Sequence, residues 1–244
     1  MQLLGLEPWR AAELLAGSPA YLRDVLQYFQ RQDPQFPLQL DSLYPIVNER
    51  SGEAGTAKGA YFHQDLWAAR KIFERRPARH VDIGSRIDGF ISHLLVFMPV
   101  ELVDIRELDC NVAGMVFVRD DATTLSRFDA NSLDSLSTLH AVEHFGLGRY
   151  GDAIDPDAWR KAMAALARVL APGGRLYFSV PIGRERVIFN SHRVFAPRTV
   201  LDGLAPLRLV SFSAVDDSGD FLPTADLDQF ANAHGSVGLF ELTK

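Results

Sequence analysis

From residue 79 onward, short apolar runs alternate with segments of helical spacing, and this alternation limits the possible folds more than any other feature of the chain. Strands buried on both faces read as near-continuous apolar runs, and parallel strands need crossover connections that cover the sheet. The strands are expected at His80–Gly84, Val100–Ile105, Met115–Val118, Leu133–Leu139 and Arg175–Pro181, with helices over Ile87–Phe97 and Pro156–Leu170. After Pro197 a short helix, Thr199–Leu204, leads to strands near Leu207–Val215 and Val237–Leu242. Five βα units followed by a final strand pair describe an α/β fold of Rossmann type, built on a mostly parallel sheet.

The preceding segment has a different character. Ser18-Pro19 reads as an N-cap and a first helical position, opening a helix with Tyr21, Leu22, Val25, Leu26 and Phe29 on one side and ending near Arg31. From Asp33 to Thr56 prolines and glycines punctuate polar residues without apolar period, which is a long loop. The expected division is an N-terminal helical arm and loop over residues 1–56 and an α/β domain over 57–244. Phe62, Leu66, Ala69 and Phe73 recur at helical spacing and place a helix over Tyr61–Arg75, at the start of that domain. Trp9, Trp67 and Trp159 fall in helical patterns, where core packing is the ordinary reading.

With 244 residues, 47% of them hydrophobic, the chain is long enough to bury a substantial core. A formal charge of −6, with scattered Lys and Arg, supplies no basic stripe for a phosphate backbone, so nucleic acid is not an expected partner. No run reaches membrane-spanning length, and Met1 to Pro8 lack a basic segment followed by a long apolar one; the expectation is a cytoplasmic protein with no membrane association. A single cysteine, Cys110, excludes an internal disulfide and fits a reducing compartment. Asp216, Asp217 and Asp220 read as a solvated acidic loop, and no metal is expected.

The chemistry-bearing residues fall at strand ends. Val81-Asp82-Ile83-Gly84-Ser85 is a buried strand running into a glycine, and in an open α/β sheet a ligand beyond that turn approaches the backbone closely. Asp104 follows Gly84 by twenty positions at the next strand end, where an acidic side chain meets ribose hydroxyls. Asp121-Ala122 follows the third strand and reads either as an adenine site or as a solvated turn. His140, Val142, Glu143 and His144 close the fourth strand.

In order and interval, Asp82-Ile83-Gly84, Asp104, Asp121-Ala122, Val142-Glu143-His144 and Leu170-Ala171-Pro172-Gly173-Gly174-Arg175 resemble the successive motifs of the class I S-adenosylmethionine (SAM)-dependent methyltransferases. More narrowly, Tyr61-Phe62-His63-Gln64-Asp65-Leu66-Trp67, Asp82-Ile83-Gly84-Ser85 and Phe189-Asn190-Ser191-His192-Arg193-Val194-Phe195 resemble the family known as domain of unknown function 268. The resemblance implies a seven-stranded Rossmann-like methyltransferase sheet and SAM as cofactor. It implies Asp82, Gly84 and Ser85 in the cofactor loop, with Gly84 and Ser85 toward the methionine part. Asp104 would then face the ribose and Asp121 with Ala122 the adenine, while His140 and Glu143 would form the floor near the reactive methyl. The usual second glycine of the first motif is replaced by Ser85-Arg86-Ile87, so the direction of the Arg86 guanidinium decides whether a cationic sulfonium is tolerated there.

Methyl transfer to a hydroxyl needs alignment and a base. His144 is the first candidate and His192 the second, with Glu143 beside them; a hydrogen-bonded structural histidine is the competing reading for each. The expected activity is methylation, at oxygen, of a small-molecule or saccharide acceptor. A homo-oligomer is compatible with this. The rival expectation is a catalytically inactive methyltransferase-like binding or scaffold protein, favoured by the altered loop at Ser85-Arg86-Ile87.

Overall fold

The computed structural model describes residues 8–47, 49–50 and 54–244; the opening residues read above for a leader lie outside these, as does the side chain of Trp9. The chain divides into two compact units, one up to Ala57 and one over Lys58–Lys244.

In the first unit, helix α1 spans Pro8–Arg31 and passes through Pro19, so the helix starts earlier than the Ser18-Pro19 signal indicated. The φ that the proline ring fixes is itself helical; what proline removes is one backbone bond, and the helix continues on either side. Beyond Arg31 the chain is irregular apart from a 3-10 turn at Leu40–Ser42. It is tied locally by Leu38 N–H donating to the Gln32 side chain (2.8 Å), Tyr28 Oη donating to the Phe36 carbonyl (3.1 Å), and Arg50 paired with Asp24 (2.7 Å).

The second unit opens with α2 (Ala60–Arg75), followed by β1 (Val81–Ile83), a π-helical turn (Ile87–Ile91) running into α3 (Ser92–Leu95), β2 (Val100–Asp104), β3 (Met115–Arg119) and β4 (Leu133–Leu139). Then come α4 (Ala158–Val169), β5 (Leu170–Ile182), a hairpin of β6 (Arg186–Ile188) and β7 (His192–Val194), α5 (Pro197–Gly203), β8 (Arg208–Val215), β9 (Phe221–Leu222) and β10 (Ser236–Thr243). The main sheet has eight strands in the order β3-β2-β1-β4-β5-β10-β8-β9. Strands β1 to β5 run parallel, and β10 lies antiparallel between β5 and β8. The expected Rossmann-like sheet is present, with the two-residue β9 added at its edge.

Alternation along the strands sends apolar side chains to two cores. Val81, Ile83, Val103, Leu136 and Phe178 pack with Trp159, Met163 and Leu166 of α4 and Val200 of α5 on one face. Val100, Leu102, Leu139 and Tyr177 pack with Trp67 and Ile72 of α2 and Phe90 and Leu94 on the other. Helices on both faces are what a parallel sheet requires.

Two expectations about connections are corrected. The helix foreseen at Ile87–Phe97 is split into the π turn and α3, because Gly89 sits so close to Asp65 that a Cβ there would lie 2.3 Å from the carboxylate, and the widened turn accommodates this approach. The links β2–β3 and β3–β4 carry no helix, so five complete βα units do not form. In the second link, Asp120 and Asp121 side chains accept from Asp121, Arg127 and Thr123 N–H groups, giving the backbone a local alternative to helical bonds. Helix α4 also stops at Val169, before Pro172-Gly173-Gly174, with Leu170 already extended.

Strand order reverses between β1 and β4, since the chain leaves β1 toward β2 and returns to the other side. The carboxyl ends of these strands therefore border a crevice, the usual ligand position in open α/β sheets. Leu136, fully buried at the centre of β4, anchors this arrangement. Leu136→Ala is expected to cost about 2–5 kcal/mol, read as a lowered denaturant midpoint at unchanged slope.

Candidate functional site

The crevice is shaped by what happens under the turn after β1. The Asp82 carboxylate accepts the Ser85 backbone N–H (2.9 Å), the Ser85 hydroxyl (2.7 Å) and the Ser137 hydroxyl (2.5 Å). Ser85 Oγ in turn accepts the Leu139 N–H (2.9 Å), which ties the turn to the end of β4. Ser137 also accepts from His80 Nε2 (2.9 Å), whose Nδ1 accepts from Ser135 (2.8 Å). Burial pushes the Asp82 carboxyl up to about 6 and the His80 imidazole down to about 3. Asp82 and Ser85 thus bond each other and β4 beneath the turn, and neither is among the residues that line the cleft.

Gly84 does line it. Its φ of +70° is a conformation that favours glycine, and a Cβ there would lie 3.2 Å from that of Ala141, across the crevice floor. Arg86 turns away: its guanidinium holds Asp88 (2.9 Å), lies 4.7 Å from the Tyr61 ring centre, and is not among the cleft-lining side chains.

The cleft encloses a cavity of about 170 Å³ and opens to solvent. Gly84, Asp104, Asp121, Ala122, His140 and His144 all border it. Asp104 is the end of β2, and its carboxylate is held by Arg106 through the backbone N–H (2.8 Å), Nε (3.0 Å) and Nη2 (2.7 Å). Arg106 also lies 4.4 Å from the Tyr150 ring centre, so Tyr150 roofs this end of the cleft. Asp121 Oδ1 accepts from the Thr123 N–H and hydroxyl (both 2.8 Å), while Ala122 leans on the apolar core beneath.

At the end of β4 the backbone turns sharply, with His140 at φ +53°, a left-handed conformation that costs a non-glycine residue of order 1–3 kcal/mol. His140 Nδ1 donates to Gln64 Oε1 (2.6 Å), which also accepts from Ser179 (2.7 Å), leaving Nε2 as the unprotonated nitrogen. His144 Nδ1 donates to the Ser191 carbonyl (2.6 Å) at the tip of the β6–β7 hairpin, so here too Nε2 carries the lone pair. Burial depresses the two imidazoles, His140 to about 3 and His144 to about 4, and both are neutral at pH 7.

Glu143 lies fully buried, with neither carboxylate oxygen hydrogen-bonded among the described residues and Oε1 3.7 Å from His144 Nε2. Burial raises it to about 8, so it is a neutral carboxyl at pH 7. His192 stands half-buried on β7, bonded to Ser191 Oγ (2.8 Å), and does not line the cleft. Sequence reasoning missed Arg106, Arg149, Tyr150 and the contribution of Gln64. Gln64 carried a signal, the Tyr61–Trp67 stretch, whereas the other three lie on loops whose path no periodicity encodes.

A family model described as Caenorhabditis protein of unknown function, DUF268, matches residues 102–205, which run from β2 to just past α5. A search of curated proteins gives no match. Among solved structures, the chain is similar to a Burkholderia thailandensis 1,6-didemethyltoxoflavin N1-methyltransferase with bound 1,6-didemethyltoxoflavin and S-adenosylhomocysteine, at 17% identity and TM-score 0.54 over 98% of this chain and 91% of that one. It is similar to the N-methyltransferase NodS from Bradyrhizobium japonicum in complex with S-adenosylhomocysteine, at 15% identity and TM-score 0.52, covering 76% and 88% of the two chains. The 4+2 cyclase SpnF matches equally well, at 14% identity and TM-score 0.52 over 76% and 84%. The resemblance implied by the motifs is borne out: the fold is that of the class I methyltransferases, and the sequence is similar to the DUF268 family.

Because the folded chain holds the Glu143 proton to about pH 8 while an unfolded chain releases it in the ordinary carboxylate range, Glu143 lowers stability as pH rises between these values. Glu143→Gln removes this dependence. Thermal denaturation of the two proteins is expected to show a difference in Tm that shifts in favour of Glu143→Gln from pH 5 to pH 8.5; a constant difference would contradict the neutral carboxyl.

Proposed function

We propose that this chain is a SAM-dependent methyltransferase that methylates a small-molecule or saccharide acceptor at oxygen. The observation that carries this reading is the single cleft onto which the Gly84 turn, Asp104, Asp121, Ala122, His140 and His144 converge at the strand-order reversal. The residues fit an adenosyl ligand: the turn at Gly84 offers backbone with no Cβ, and two carboxylates at successive strand ends offer acceptors for ribose and adenine donors. Arg86, bound to Asp88, brings no positive charge into the cleft, which removes the main objection raised by the glycine-poor loop. Bound SAM would supply a methyl group already activated by its sulfonium.

The chain's own residues then have defined tasks. Asp104, now held by Arg106, receives the ribose hydroxyls, and Asp121 with the Ala122 N–H receives the adenine. His144 acts as general base. Its Nδ1–H is fixed on the Ser191 carbonyl, so Nε2 takes the acceptor hydroxyl's proton, and burial keeps it free of protons above about pH 4. Glu143, uncharged beside it, leaves the imidazole's basicity undisturbed until the carboxyl ionises near pH 8. His140, held by Gln64, borders the cleft with its Nε2 unprotonated. Tyr150 borders the cleft beside His144, with ring centres 5.5 Å apart.

A second reading, an inactive binding or scaffold protein, is favoured by the occupation of Asp104 by Arg106 and by the similarity in fold to a cyclase. Calorimetry with SAM and S-adenosylhomocysteine separates the two readings, and no heat from either ligand with folded protein would reject the enzyme. Asp104→Asn is expected to weaken S-adenosylhomocysteine binding at least about tenfold, the scale of one lost hydrogen bond to a charged group. His144→Ala is expected to lower kcat about 10²–10⁴-fold with little change in S-adenosylhomocysteine affinity. In the wild type, kcat/KM for the acceptor should rise with pH through about 4 and hold level to about 8, measured with radiolabelled methyl transfer.

A further inference from the structure

The hairpin of β6 and β7 forms a two-stranded sheet of its own, outside the main one. Its base is pinned where Gly183 N–H donates to the Phe195 carbonyl (2.9 Å) and Phe195 N–H donates to the Pro181 carbonyl of β5 (3.0 Å). Toward the tip Val187, Ile188 and Phe189 are exposed, so apolar burial does little to hold that end in place.

The side chain that ties the hairpin to the end of β4 is Arg193, which is partly buried. Its Nη1 donates to the Phe145 carbonyl (2.6 Å) and, at longer range, to the Glu143 carbonyl (3.5 Å), while Nη2 donates to the Pro156 carbonyl (3.5 Å). Glu143 and Phe145 are the residues on either side of His144, so the clamp closes around that histidine. Two positions before Arg193, the Ser191 carbonyl accepts the His144 Nδ1–H (2.6 Å).

The other neutral form of the imidazole has a partner at hand as well. Arg149 Nη1 lies 3.2 Å from the Ser191 carbonyl and 3.3 Å from His144 Nδ1. A guanidinium only donates, so Arg149 bonds the carbonyl while Nδ1 carries a proton and bonds Nδ1 itself once the proton is on Nε2. The Ser191 carbonyl therefore decides between two forms. With it in place, Nε2 is bare; without it, Arg149 favours Nε2–H, and the ring has no lone pair to offer on that side.

We propose that Arg193 is a positioning residue for His144: by clamping the hairpin to the carbonyls that flank His144, it sets the Ser191 carbonyl against Nδ1 and leaves Nε2 free to take the acceptor's proton. This rests on the methyltransferase reading, in which His144 is the base. Arg193 acts through His144, since it does not itself line the cleft. Release of the clamp moves protons without changing charge: Nδ1 gives one to water, Nε2 takes one up, and the imidazole stays neutral.

The test reads the ring directly. In the nitrogen-15-labelled full chain at neutral pH, long-range proton–nitrogen correlation spectra show which nitrogen of His144 carries the proton, the signal being assigned by its loss in His144→Gln. The wild type is expected in the Nδ1–H form. In folded Arg193→Met the ratio of Nδ1–H to Nε2–H is expected to fall about tenfold, the scale of one lost hydrogen bond. There kcat should drop several-fold while S-adenosylhomocysteine affinity, measured by calorimetry, stays unchanged. Arg193→Lys, which keeps one donor for the Phe145 carbonyl, should recover most of the wild-type ratio. A residue that only stabilises the fold would lower Tm and leave the ratio in the folded protein untouched. If Arg193→Met does not fold, Arg193→Gln, whose shorter amide does not span these carbonyls, is read in its place. A wild type with Nε2–H at His144, or an unchanged ratio in the folded variant, would overturn the proposal. The S-adenosylhomocysteine titration of the wild type reads the underlying assignment separately. An unchanged ratio together with heat from that titration rejects the role of Arg193 alone, whereas a shifted ratio without heat upholds the hold on His144 and rejects the methyltransferase.

Discussion

The buried Asp82 carboxylate is the constraint on which the cleft depends. It gathers the Ser85 backbone and hydroxyl and the Ser137 hydroxyl into one cluster, and Ser85 passes the link on to the Leu139 N–H. The ends of β1 and β4 are thereby held together where strand order reverses. Leaving those groups unpaired in the interior would cost far more than the net gain of the bonds themselves, so the turn has a single arrangement. Gly84 then sits with its bare backbone facing the crevice, and Arg86 falls outside it.

The same economy of partners explains the second half of the site. His140 and His144 each spend Nδ1 on an oxygen acceptor, Gln64 and the Ser191 carbonyl, and each keeps Nε2 unprotonated. Gln64 comes from α2 and Ser191 from the β6–β7 hairpin, so the ring orientations at the end of β4 are set by elements far away in sequence. Glu143 departs from the pattern, since its carboxyl has no such partner and stays neutral by burial. A buried group held in this state is a common feature of sites that bind or transfer protons.

Much of this was legible in the residues. The apolar runs over Val100–Asp104 and Leu133–Leu139 specified strands close to their observed bounds, because burial on both faces leaves no other way to read them. The positions of Gly84, Asp104, Asp121 and His144 on one cleft follow from strand ends, which a parallel sheet brings to one edge. The split of the Ile87–Phe97 segment was not legible, since it depends on Asp65 of α2 lying against Gly89. The hydrogen bonds of Asp82 and Ser85 beneath the turn were not legible for the same reason: they depend on which hydroxyls, here those of Ser137 and Ser85 itself, lie within reach.

By itself, then, the sequence determined a doubly covered parallel sheet with its chemistry at the carboxyl edge, since strand and helix period and the glycine after β1 are local properties of the chain. Only the tertiary structure decided which of those edge residues face the crevice, which nitrogen of each histidine is left bare, and that Glu143 is uncharged. These depend on distances and burial between segments such as Gln64 and His140, or Ser191 and His144, that no local pattern relates. Arg86 shows the difference most directly: its place after Gly84 was visible in the sequence, and its direction, toward Asp88 and Tyr61, was fixed by what packed around it.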